Sequence, residues 1–224
     1  MKERRSYGLA ALGAGLLLLL TLYQPFSGSV VAAFGLWWKG SMAVLCVTSL
    51  LTAAGWLLML PYARMVRFRF AQQPGLWLLA AWGFALVAAN SIFLGLTSLA
   101  MLVAMRDFSF ATMDAMFTVQ HVLTALQMVC LVGGLALLAI FFFRLFAYCR
   151  RVESRSALTF LPLAAVVLLL IGALTDLVGM LMEQVPAVDH AVSIMRGLFG
   201  FIMQLVAVML LLSYFYVNIS KSRS

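Results

Sequence analysis

Six apolar stretches, each about as long as a membrane is thick and separated by short polar segments, partition this 224-residue chain. They run near 6–23, 40–62, 76–105, 117–145, 157–182 and 194–217. A helix rises about 1.5 Å per residue and the hydrocarbon core of a bilayer is about 30 Å thick, so about 20 residues suffice to cross. In hydrocarbon every peptide N–H and C=O must be bonded inside the segment, which leaves the helix as the form for each stretch. The predicted fold class is therefore all-α: a polytopic integral membrane helical bundle of about six transmembrane helices. It forms a single transmembrane domain over 1–224, with no soluble domain. Composition agrees: 65% of residues are hydrophobic and 10% charged, against about half and about a quarter in soluble domains.

The net charge of +8 would point to nucleic acid in a soluble protein. Here the basic residues sit in short segments between apolar runs, so the expectation is no nucleic-acid partner and a topology signal instead. Twelve of the fifteen basic residues fall on one side of the implied weave, among them Arg4, Arg5, Arg64, Arg67, Arg69, Arg144, Arg150, Arg151 and Lys221. Lys39, Arg106 and Arg196 fall on the other. The positive-inside bias then predicts that both termini are cytoplasmic, in a multi-pass protein of the cell membrane, a bacterial inner membrane by this reading. The first stretch follows Lys2–Arg5 as a signal peptide would, but Gln24-Pro25-Phe26 interrupts any small-residue cleavage site, so it is expected to stay as a span.

The second, fourth and sixth stretches share a spacing. Lys39, His121 and Arg196 stand near their outer ends, and Arg64, Arg144 and Lys221 close them. This predicts three consecutive helical hairpins.

Polar groups inside hydrocarbon are costly and are candidates for function. Asp176 is the clear intramembrane acid, with Gly172, Gly179 and Glu183 at helical spacing. The sixth stretch offers Arg196, Gly197, Gly200 and Gln204, so an Arg196 pairing with Glu183 or Asp176 is expected. Further stripes are Ser41, Thr48, Thr52 and Gly55; Ala88, Ser91, Gly95 and Ser98, with Asn90 adjacent; and Gln120, Thr124, Gln127 and Gly134. Small residues permit close helix approach, so Gly95, Gly172, Gly179, Gly197 and Gly200 are expected at helix contacts. Arg64, Arg67, Arg69, Arg144, Arg150 and Arg151, interleaved with Phe68, Phe70, Phe146 and Tyr148, suit anionic lipid headgroups or an acidic partner surface.

Catalytic and cofactor signatures do not emerge. His121 and His190 have no second ligand at helical spacing, so no metal or haem is expected. Asp176 has no second intramembrane aspartate for proteolysis. Phosphate-binding, dinucleotide and zinc-protease motifs are absent. The expected function is a non-catalytic subunit, regulator or sensor of a membrane complex, working through helix packing as a homo-oligomer or with a partner membrane protein. The alternative is a small transporter or channel with Asp176 as coupling or selectivity group and Asn90, Gln127 and Gln204 along the route.

Overall fold

The computed structural model describes residues 2–26, 38–70, 75–104, 110–152, 156–182 and 190–221. For 2, 38–39, 69, 104, 110–117, 152, 156–157, 180–182 and 190–196 the description is of the backbone alone. Among the described residues all regular structure is helical, and six spans are long and apolar enough to cross a membrane. The elements are α1 (Lys2–Tyr23), followed by a single 3-10 turn (Gln24–Phe26), α2 (Trp38–Leu57), α3 (Leu60–Arg69), α4 (Leu76–Ala104), α5 (Phe110–Val152), α6 (Ser156–Met182) and α7 (His190–Lys221).

The span expected over 40–62 is two helices. Pro61 lacks an N–H and sits in the first turn of α3, where an N–H would have no helical acceptor. The chain tightens there: Met59 N–H donates to the Trp56 carbonyl at 3.1 Å and Tyr62 N–H to the Met59 carbonyl at 3.0 Å. The buried face carries through the break. On one continuous helix Gly55, Met59, Tyr62 and Val66 stand at i, i+4, i+7 and i+11, and Ala63 follows Trp56 by seven. All of these are buried, and Arg67 is exposed. Its guanidinium lies 5.0 Å above the Trp77 ring.

α5 is the longest element, with 43 residues. At the helical rise it reaches about 65 Å, twice the hydrocarbon thickness, so both its ends leave the membrane. Arg150 and Arg151 in its last turn face the negative end of the helix dipole.

The helices form a ring. Each span packs on its neighbour in sequence, and α1 closes the circle against α7. Consecutive spans run antiparallel, as the pairs Tyr7 with Tyr62 and Gly13 with Gly55, then Phe84 with Trp56 and Gly95 with Cys46, require. The hairpin grouping expected from sequence is not a set of separate units, because α2 packs as closely on α4 across hairpins as consecutive helices do within them.

Packing is uneven along the ring axis. Toward the arginine-rich end the large side chains Met59, Tyr62, Phe84, Phe141, Phe142 and Phe215 are fully buried. Toward the other end the helices diverge around a cavity. The outer surface is apolar, with Leu19, Trp82, Val129 and Phe143 well exposed, as lipid-facing positions are.

Candidate functional site

The cavity measures about 600 Å³, and every one of the six spans contributes to its wall. It extends from the level of Gln24, Ser41 and Gly197 to that of Trp56, Val87 and Leu135. Asp176 on α6 and Gln204 on α7 form one polar side, and Asn90 and Ser91 on α4 another. A ladder of hydroxyls, Ser41, Thr48, Ser49 and Thr52, rises along α2. Between these lie leucines, with Phe201 and Met203.

Most of these hydroxyls spend their proton on their own helix. Thr48 donates to the Val44 carbonyl at 2.9 Å, Ser49 to Leu45 at 2.6 Å, Thr52 to Thr48 at 2.8 Å and Thr21 to Leu17 at 2.9 Å. Such back-bonding satisfies the hydroxyl in a medium without water and leaves its oxygen able to accept a further hydrogen bond. Among the described residues no buried side-chain nitrogen or oxygen lacks a hydrogen bond.

Of the residues singled out in the sequence, Asp176, Asn90 and Gln204 meet at this one cavity. Gln127 does not. It is buried between α5 and α4 and donates its Nε2 to Thr97 Oγ1 at 3.0 Å, a cross-link between two helices. Glu183 lies outside the described residues, and so does the side chain of Arg196, so their pairing with Asp176 stays an expectation from sequence. Asp176 itself is half-buried and engaged by the protein around it.

The glycines divide in two. Gly95 lies where α4 faces α2: a Cβ there would lie in ordinary contact, 3.5 Å from the Cys46 carbonyl and from Leu50. Gly172, Gly197 and Gly200 instead line the cavity. A Cβ on Gly197 would meet nothing within 4 Å, one on Gly172 would lie 4.0 Å from Met203 and one on Gly200 3.9 Å from Asp176 Oδ1. Nothing packs tightly on them, because the ring diverges at this level. Gly179 is half-exposed near the end of α6 and outside the cavity wall. The close crossings belong to glycines outside that set, Gly13, Gly55, Gly83 and Gly134. Gly13 lies against the Gly55 carbonyl, and a Cβ on Gly134 would come within 2.9 Å of the Val87 nitrogen and 3.0 Å of the Gly83 carbonyl. Only Gly55 and Gly134 stood in recognisable stripes.

Beneath the cavity the ring is plugged. Tyr62 is buried at the centre, its hydroxyl 2.9 Å from that of Tyr214. Its ring lies 5.2 Å from that of Phe215, 5.7 Å from Tyr7 and 6.3 Å from Phe141, the two phenylalanines edge-on. Tyr62 follows Gly55 by seven residues, two turns along one face, but in an apolar run nothing marks which face turns inward.

Comparison with protein-family models, with curated proteins and with solved structures finds no match to this chain. Among the described residues no three His, Cys, Asp or Glu side chains converge on a common point. At the arginine-rich end Arg64, Arg67, Arg144, Arg150 and Arg151 are exposed, and Arg69 lies on α3 with its side chain outside the description. Phe68 beside them is 82% exposed, and Phe70 stacks edge-on against Tyr148 at 5.3 Å.

Proposed function

We propose that this protein is a small non-catalytic carrier of the cell membrane. It takes a ligand into the intramembrane cavity and uses Asp176 as the coupling group, with both termini cytoplasmic. The observation that carries this reading is the convergence of Asp176, Asn90 and Gln204 on a cavity to which all six spans contribute. A chamber of this volume is in the range of small-molecule sites, which run from about 300 to about 1,000 Å³. An ionisable group beside it is expensive in hydrocarbon and marks a pathway. Two further features support alternation of access: the plug of Tyr62, Tyr214 and Phe215, and the interrupted second span that carries Tyr62. Interrupted spans are a recurrent device of carriers.

The reading as subunit or regulator draws on a different observation. The exposed arginines and Phe68 form a rim suited to anionic lipid or to an acidic partner membrane protein, including a second copy. The small residues once expected to mediate such association, Gly172, Gly197 and Gly200, line the cavity, which favours the carrier.

The test is uptake into proteoliposomes from a panel of small solutes under proton and sodium gradients. At least one solute is expected to accumulate, and Asp176→Asn to abolish its accumulation. Uptake untouched by Asp176→Asn would remove the coupling role. In parallel, Ser91→Cys in a background without other cysteines is expected to react with an impermeant thiol reagent from one face. Adding Tyr62→Ala is expected to expose it to the other.

A further inference from the structure

Resting on the carrier reading, we infer that the cavity selects an organic cation with an apolar body. Three observations converge on that class.

The first is the balance of donors and acceptors. Thr21, Thr48, Ser49 and Thr52 commit their protons to helix carbonyls and keep oxygens able to accept a further hydrogen bond. Ser91 Oγ lies 3.5 Å from the Val87 carbonyl and points its proton the same way. Among the described lining residues Asp176 carries the one formal charge, and it is negative. An anion would need donors, and those of the described wall are the side-chain amides, the Trp56 indole and the hydroxyls of Tyr23 and Ser41, none of them charged. A ligand bearing positive charge or several N–H groups meets acceptors on two opposed sides, at α2 and at α6.

The second is the apolar remainder. Leucines from five helices, with Val44, Val87, Ala173, Phe201 and Met203, make up most of the rest of the wall. A bare metal cation requires a shell of six or so oxygens and would leave this surface unused. An alkyl or aryl group fills it.

The third is the space beside the carboxylate. Gly172 and Gly200 flank Asp176, yet no neighbour forces either to be glycine. Alanine would improve helix propensity at both positions. What the missing side chains provide is volume next to Asp176, where the cationic head of such a ligand would sit.

The experiment uses the purified full chain in nanodiscs, titrated with three probes of like shape and different charge: tetraphenylphosphonium, tetraphenylborate and neutral triphenylphosphine oxide. Empty nanodiscs and Gly200→Leu, which fills the space beside Asp176, correct for partition into lipid. The cation is expected to bind at least tenfold more tightly than the anion. Asp176→Asn is expected to erase that preference while leaving the neutral probe unchanged, and Gly200→Leu to weaken the cation at least tenfold with the same melting temperature. Equal binding of cation and anion overturns the inference, and this comparison requires no variant. Cation affinity unchanged in Asp176→Asn overturns it as well. If the neutral probe binds and Gly200→Leu expels it in either case, the cavity still receives ligands and only the class is wrong. If none of the probes binds above empty nanodiscs, the inference and the carrier reading fall together.

Discussion

Gly133 and Gly134 are adjacent on α5 and do opposite things. A Cβ on Gly133 would meet nothing within 4 Å, whereas one on Gly134 would come within 2.9 Å of the Val87 backbone nitrogen, which cannot step aside. Gly134→Ala is therefore expected to destabilise the protein by about 1–3 kcal/mol, the usual cost of overpacking. Gly133→Ala is expected to be neutral, or stabilising by up to about 1 kcal/mol through helix propensity. Reversible unfolding in mixed micelles measures both, and the reverse order would show that α4 and α5 do not cross at this pair. In sequence Gly134 stands in a stripe with Gln127 and Gly133 does not, but one residue of rotation decides which faces the neighbouring helix. The same limit applies to the glutamines. Gln127 and Gln204 both stood as intramembrane polar candidates, but one ties α5 to Thr97 and the other faces the cavity.

At the scale of the element, the break between α2 and α3 lies within one buried row. Met59, Tyr62 and Val66 continue the face that Gly55 presents on α2, and all are buried. Pro61 occupies a first-turn position at which its missing N–H removes no helical bond. Pro61→Ala is accordingly expected to leave the break in place and to change stability by less than about 1 kcal/mol. Deleting Leu58 is expected to do far more, since one residue rotates α3 by about 100° and takes Tyr62 out of the plug. Melting temperature and gel filtration distinguish the two. A Leu58 deletion that remains monodisperse and as stable as the parent would show that the facing of α3 does not matter. The proline was visible in the sequence, but an apolar run is equally apolar on every side, so nothing there marked which face turns inward.

At the scale of the molecule, the closed ring places one charged rim at one end and an acceptor-lined cavity toward the other. A rim of exposed arginines near a membrane surface attracts anionic headgroups by about 1 kcal/mol per residue, less at high salt. Nanodiscs containing phosphatidylglycerol are therefore expected to raise the melting temperature over purely zwitterionic ones, with the gain reduced in Arg150→Gln/Arg151→Gln and by added salt. A gain insensitive to both would detach the rim from lipid binding. The proposed orientation is checked separately by a tag on the last residue, which impermeant reagents are expected to reach only from the cytoplasmic side.

The sequence by itself determined that the chain forms six helices long and apolar enough to cross a membrane, that its arginines gather at one end, and that Asp176 sits among small residues within one of them. These are local facts, because hydrocarbon penalises an unpaired peptide group or a charge wherever it occurs along the chain. Only the tertiary structure decided which glycines cross and which line a cavity, which glutamine is a brace, and where Tyr62 points. The reason is that lipid tails are as apolar as a leucine core, so no difference in hydrophobicity records which face of each helix turns inward. That choice falls to shape and hydrogen bonding between helices distant in sequence.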